Sequence, residues 1–286
     1  VLTLHLLVNG LVTGCALGMV AISFSLVYST TRIFHVAHAG VYTLGGYVAW
    51  SAVSHGAPAL LALLLAMAGA TLLGAVIQHF LYRTLERRHA THLVVLIASL
   101  GALAVIQNLI AAAYSPDILQ FPLPWAGRTV SLGGVALTAP QVLTLIVGVL
   151  AYLGMMWFAH RTLLGKRIRA VASNPFLAEI TRLKPADVHL IVMLIASAIV
   201  CLPGILVPLD LGLQPYGGIT VLLTATIAMI AGGVGSITGA FLLSLVIAVV
   251  QNLSLLFIPG EWSIGVTFFI FVIFMLFRPR GLFARG

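Results

Sequence analysis

The sequence predicts an all-α polytopic membrane protein with eight or nine membrane segments, and three observations carry that prediction. Of its 286 residues, 61% are hydrophobic and only 7% charged, with a mean hydropathy of +1.17, whereas soluble domains average about 25% charged residues. Six acids and fourteen Lys and Arg cannot coat a soluble sphere of this size. No Asp, Glu, Lys or Arg occurs in 1–31, 33–82, 89–116, 129–160, 188–209, 211–260 or 262–277, and a helical crossing needs about 20 such residues.

Two of these runs, 33–82 and 211–260, are double length. One straight helix through either would be about 75 Å long, against a hydrocarbon core of about 30 Å, so each folds back. The breaks fall at His55-Gly56-Ala57-Pro58 and at Gly232-Gly233-Val234-Gly235-Ser236, where Gly and Pro end or bend helices. A transmembrane β-barrel would alternate apolar and polar residues in segments of about ten; stretches such as 60–66 and 242–250 are instead almost uniformly apolar. The expected helices are 4–29, 38–54, 59–83, 92–113, 139–160, 188–208, 219–231, 237–257 and 262–277. Residues 1–29 lack a basic n-region and an A-x-A site, so they read as a first segment rather than a leader.

The formal charge of +8 would suggest nucleic acid in a soluble protein, but its placement follows membrane topology. If the segments alternate, Arg128 falls on one side and the other thirteen basic residues on the opposite side, among them Arg32, Arg83, Arg87, Arg88, Arg278, Arg280 and Arg285. By the positive-inside rule that side is cytoplasmic. The N-terminus is then external and the C-terminus cytoplasmic, with no nucleic-acid partner. The whole of 1–286 reads as one transmembrane domain with two conspicuous connections. External loop 114–138 is rich in Pro and Gly. Internal segment 161–187 mixes six basic residues with spaced apolar ones, as a short amphipathic helix, a turn near Asn174-Pro175 and a second short helix would. Such a segment docks a soluble partner or meets anionic membrane lipid.

No catalytic residues are identified. Gly165-Lys166 is followed by Arg167 and lacks the upstream glycine of a P-loop, so the chain is expected to hold neither ATP nor any other cofactor. The nine histidines are scattered and no metal site is expected; His38, three residues from His35, reads as structural or path-lining. No carboxylate is placed inside a segment, which argues against proton-coupled transport and intramembrane hydrolysis. The pathway is therefore expected to be lined by hydroxyls, amides and backbone, with candidates including Asn9, Thr13, Ser23, Gln78, Gln107, Asn108, Gln251 and Asn252. Two Gly-punctuated stretches occupy comparable places in the two halves, and paired interrupted helices point to a transport site near the midplane. They supply His38, Gly40, Tyr42, Thr43, Gly217, Gly218, Thr220 and Thr224 as path residues. Gly232, Gly233, Gly235 and Gly239 mark a helix break or close helix packing, and Gly10, Gly14 and Gly18 a packing stripe. Cys15 and Cys201 lie in apolar segments, with no disulfide expected.

The motifs together resemble the LivH-type permease subunits of branched-chain amino acid ABC importers. Asn9-Gly10 through Tyr28 looks like that family's first segment, and Ala37-His38-Ala39-Gly40-Val41-Tyr42 like its F-A-H-G-x-x-Y signature. The run from Met229 to Ala240 is similar to its G-G-x-G-S-x-x-G-A block, and Arg278-Pro279-Arg280-Gly281-Leu282-Phe283 to its R-P-x-G-L-F ending. Gly165, Lys166, Arg167, Arg169, Ala170, Asn174 and Ala178 match the motif that couples ABC permeases to their ATPases. The resemblance implies a homologous permease partner, giving a heterodimer, with ATP and Mg on two ABC ATPase subunits, an external substrate-binding protein, and residence in a bacterial inner membrane. It implies a path for branched-chain or other hydrophobic amino acids. Two departures stand out: Arg182-Leu183 replaces the usual Gly-Ile, which is expected to alter the turn or its ATPase contact, and Phe34 is displaced from the F-A-H-G block, which leaves room for a substrate other than Leu, Ile or Val. Bulky replacement of Gly40 or Gly218 is expected to block uptake and spare assembly. The competing reading is a stand-alone channel or facilitator for a small neutral solute such as urea or an amide.

Overall fold

A computed structural model describes residues 2–132, 134–278 and 281–283. The helices are α1 (Leu2–Thr31), α2 (His38–Ser54), α3 (Ala59–Val76), α4 (Arg83–Arg87), α5 (His92–Tyr114), α6 (Ala139–Arg161), α7 (Leu163–Ser173), α8 (Pro175–Ile180), α9 (Pro185–Leu211), α10 (Gly217–Gly232), α11 (Ile237–Ser254) and α12 (Ser263–Phe277). A π-helical stretch, Ile77–Tyr82, joins α3 to α4 in one rod. Seven helices among the described residues are long and apolar enough to cross a membrane, which makes this a multi-pass membrane protein. The count falls short of the expected eight or nine because α2 and α10 have 17 and 16 residues. At about 26 and 24 Å they are shorter than a hydrocarbon core of about 30 Å.

Loop 114–138 is not irregular throughout. Strands β1 (Thr129–Leu132) and β2 (Val135–Thr138) pair antiparallel, Thr129 opposite Thr138. The sequence alternates around Gly133-Gly134, a two-residue hairpin signal. Thr138 then caps α6 in a reciprocal box with Gln141.

α1 is the axial helix: 89% of its most apolar window is buried, against 28% for α5 and 6% for the segment ending in α12. Its small residues explain why. A Cβ on Gly10 would lie 2.7 Å from Val249 Cα, one on Gly14 2.8 Å from Leu245 Cα, and one on Gly18 2.5 Å from the Phe241 ring. Numbering falls on α11 as it rises on α1, so the two run antiparallel with backbones in contact. α6 approaches from another side, where a Cβ on Gly148 would lie 2.7 Å from Cys15 Cβ. Both cysteines are buried and unpaired.

The described basic residues other than Arg128 gather at one end of the bundle. Arg32 Nη2 donates to Ala172 O at 3.4 Å, and His189 Nδ1 lies 3.9 Å from Glu86. Pro279, Arg280 and Arg285 of the expected basic set and C-terminal motif lie outside the described residues. At the same end α7 and α8 are capped by Thr162 and Asn174, whose side-chain oxygens accept from Gly165 N and Leu177 N, each at 3.0 Å. The chain makes a tight turn after α8 at Arg182. Arg182 N donates to Glu179 O and Leu183 N to Ala178 O, each at 3.0 Å, the pairing of a Schellman stop. Arg182 has φ +62°, in the left-handed region where a glycine is free of strain and an arginine is not.

Two outcomes are expected in thermal unfolding of the detergent-solubilised chain. Gly14→Val, which drives a side chain into the α11 backbone, lowers the midpoint with an overpacking cost of about 1–3 kcal/mol, whereas Gly101→Ala, with open space around it, does not. Arg182→Gly raises the midpoint slightly, by about 1 kcal/mol or less once the added freedom of the unfolded chain is counted. A midpoint lowered by this glycine would contradict the strain assigned to Arg182.

Candidate functional site

Two helices begin inside the bundle. After α1 the backbone turns at Arg32, φ +57°, and residues 32–37 run back alongside the helix they have just left. Ser23 Oγ and His38 Nε2 lie 2.9 Å apart, and the stretch from Ser23 to Thr31 spans about 12 Å of helix. α2 therefore starts deep in the bundle. Phe34 packs edge-on against Phe24 with ring centroids 5.2 Å apart, covering the returning segment.

A buried polar network fixes this segment from the other side. His35 Nδ1 is 2.6 Å from Tyr82 Oη, Tyr82 Oη is 2.7 Å from Ser99 Oγ, and Ala37 N donates to Ser99 Oγ at 3.0 Å. Tyr82 closes the π-helical stretch, whose extra residue per turn re-aims the side chains that follow. His35, His38, Ser23 and Ser99 are all inaccessible. The two imidazole rings are 5.2 Å apart, and no group of three or more His, Cys, Asp or Glu comes together among the described residues.

The second interruption follows α9. Gly212, φ +89°, ends that helix, and Leu213 pairs with Leu119 of the long loop through both backbone bonds, at 2.8 and 3.1 Å. α10 then begins at Gly217, where it meets the start of α2: a Cβ on Gly218 would lie 2.5 Å from Ala39 O and 2.6 Å from Thr43 Oγ1. The structure thus brings the two Gly-punctuated stretches together. Of the residues they contribute, His38, Gly40, Tyr42, Thr43, Gly218 and Thr224 are buried within this chain, Gly217 is half-buried and Thr220 is exposed. The packing corrects one expectation: a bulky residue at Gly218 would collide with α2 backbone, so it disturbs the fold as well as any path.

Sequence reasoning missed the polar face beside Thr220. Tyr216 and Gln214 are exposed there, and Tyr216 Oη donates to Asn108 Oδ1 at 3.3 Å across to α5. A tyrosine directly before a Gly-Gly helix start was the available signal. It also missed Asp210, which sits in the last turn of α9 rather than outside the segments, accepting from Thr138 Oγ1 at 2.7 Å and Gln141 Nε2 at 2.9 Å. This carboxylate clamps α9 to the start of α6.

α10 ends at Gly232, and the chain reverses through Gly233 and Gly235, with φ of +102° and +83°, before α11. Gly239 packs on the backbone of Gly232. Leu282 N and Phe283 N donate to Ala231 O and Gly232 O at 3.0 and 3.1 Å, so the C-terminal motif completes the end of α10. At the basic end the expected coupling residues divide in two. Gly165 packs under the last turn of α6, Ala178 is buried and Asn174 is a cap. Lys166, Arg167, Arg169 and Ala170 are exposed, beside the exposed apolar side chains of Leu163, Phe176, Leu177 and Ile180.

Residues 6–275 match the family model described as the branched-chain amino acid transport system / permease component. The chain is 27% identical to the high-affinity branched-chain amino acid transport system permease protein BraD of Pseudomonas aeruginosa, covering 99% of this chain and 96% of that one. It is 26% identical to LivH of Escherichia coli, over 97% and 94% of the two chains. A shorter similarity, 29% over 127 residues, links it to the xylose transport system permease protein XylH of Haemophilus influenzae, over 42% of this chain and 34% of that one. In fold it resembles PsaBC from Streptococcus pneumoniae, solved in complex with a Fab, with a TM-score of 0.53 at 15% identity over 98% of this chain and 92% of that one. A match to the model over nearly the whole length, with two interrupted helices meeting inside the bundle, makes this chain a member of the branched-chain amino acid transport permease family.

Proposed function

We propose that this chain forms one half of the translocation path of an ABC importer for amino acids with hydrophobic side chains, branched-chain ones foremost, in a bacterial inner membrane. The observation that carries the reading is the contact of Gly218 with Ala39 and Thr43, where two helices too short to cross the hydrocarbon core begin inside the bundle. The start of α10 presents a positive dipole end, which suits the carboxylate of an amino acid, while the first N–H groups of α2 are already bonded to His35 O, Val36 O and Ala37 O. Beside them, Asn108, Gln214, Tyr216 and Thr220 interrupt an outer surface that is otherwise apolar. Polar groups facing lipid are costly, so a homologous permease subunit covers this face and the path runs between the two. The basic end is cytoplasmic by the positive-inside rule. There α7 and α8 dock the ATPases, which supply ATP, Mg and hydrolysis, while an external binding protein delivers substrate at the opposite end. A stand-alone facilitator would have no use for exposed Phe176 and Leu177 beside Lys166 and Arg167.

The complex reconstituted in liposomes tests both halves of this reading. Phe176→Asp, or Lys166→Glu combined with Arg167→Glu, is expected to cut substrate-stimulated ATPase activity roughly thirtyfold or more, since loss of an interface anchor costs about 2 kcal/mol or more; full stimulation would remove α7 and α8 from the coupling surface. Thr220→Trp is expected to abolish uptake while co-purification of the subunits and basal ATP hydrolysis persist. Undiminished uptake would take the exposed face of α10 off the path, and uptake by this chain alone would favour the facilitator.

A further inference from the structure

A cavity of about 370 Å³ opens at the basic end, between the end of α1, the last turns of α6, α7 and the glycine turn that leads into α11. Arg32 and Arg169 both line it, together with Ser29, Ser173 and Ser236. No Asp or Glu is among its lining residues, and neither arginine has an acidic partner among the described residues. Among the described residues the one hydrogen bond either guanidinium makes there is from Arg32 to the Ala172 carbonyl, long at 3.4 Å. Two guanidinium groups sharing one cavity with no counter-charge repel each other, and an anion placed between them removes that repulsion.

We propose that this cavity binds a phosphate-type oxyanion, either the phosphodiester of an anionic lipid or free phosphate, held by Arg32 from the turn after α1 and Arg169 from α7. Free phosphate presents four oxygens, and a lipid phosphodiester presents two charged oxygens set tetrahedrally with its ester oxygens, so guanidinium forks arriving from two different elements can both bond the group while serine hydroxyls reach its remaining lone pairs. Trp157, 64% exposed on α6 beside the cavity-lining Met156 and Phe158, marks the level at which tryptophans meet lipid head groups. Anionic head groups are concentrated on the cytoplasmic leaflet. The bound anion would tie α7 to the end of the axial helix, and Arg169 would serve this site while Arg167, which does not line the cavity, faces outward.

The site is tested by binding to the purified full-length chain, apart from transport. Thermal unfolding in detergent is followed with inorganic phosphate against chloride at equal ionic strength, and lipid retention is followed by native mass spectrometry from nanodiscs of phosphatidylcholine with and without phosphatidylglycerol. Stabilisation or retention is expected with at least one anion, weakened about tenfold or more in Arg32→Gln and in Arg169→Gln and unchanged in Lys166→Gln, which removes a neighbouring charge outside the cavity. Phosphatidylglycerol retained without a phosphate response identifies a lipid head group; the reverse identifies a soluble anion. Should either glutamine variant fail to fold, Arg32→Lys and Arg169→Lys keep the charge, and weakened binding in them supports the paired geometry. Equal responses from the wild type and all variants, or no response to either anion, would overturn the proposal.

Discussion

A backbone that leaves helical geometry inside a hydrocarbon layer exposes N–H and C=O groups that lipid cannot satisfy, and this chain does so twice, at 32–37 and at 212–216. Much of the remaining architecture serves to satisfy those groups. Ala37 N finds the Ser99 hydroxyl, and Val36 N finds Phe34 O. Gly212 N finds Pro208 O, and Leu213 gives and takes a bond with Leu119, which is why a loop that looks expendable in sequence reaches into the bundle. The interruptions persist only because neighbouring elements wall them off from lipid.

The walling depends on helices that approach to backbone contact. Gly10 and Gly14 bring α11 against α1, Gly204 brings α9 against the Tyr42 backbone, and Gly239 packs on Gly232. Between helices in a membrane there is little hydrophobic driving force, so association rests on close van der Waals packing and on polar bonds. Both are present: Gln251 Nε2 on α11 donates to Thr267 Oγ1 on α12, while the Tyr82, His35 and Ser99 network joins the α3–α4 rod and α5 to the returning segment. Small residues and buried hydroxyls are thus two parts of one solution, the first letting backbones meet and the second absorbing the groups left over.

Most of the fold was legible because charges bound the apolar runs. The expected helices 38–54, 92–113 and 139–160 differ from α2, α5 and α6 by at most one residue at either end, and the two-helix form of 161–187 followed from its spaced apolar residues and from Asn174-Pro175. What escaped reading was non-local. Nothing within the local sequence says that Tyr82 meets His35, or that Asp210 accepts from both side chains of the α6 capping box. The π-helical stretch is set by packing rather than by composition. At the candidate site the glycines were visible as backbone punctuation, but which polar side chains stay exposed depends on what the neighbouring helices cover, and so Thr220 was found while Tyr216 was not.

The central position of α1 bears on how the protein is made. This helix emerges first of those described, yet its Gly10 and Gly14 face a partner, α11, that is synthesised only after most of the chain has entered the bilayer. Until then α1 must dwell in lipid as an ordinary apolar span, its serines bonded back to their own helix, as Ser23 is to Val20 O. Each later span has to be threaded around it rather than appended at its side. The molecule is therefore assembled from the inside outward, and a defect in the late helices strands the first one in lipid instead of at the centre of the bundle.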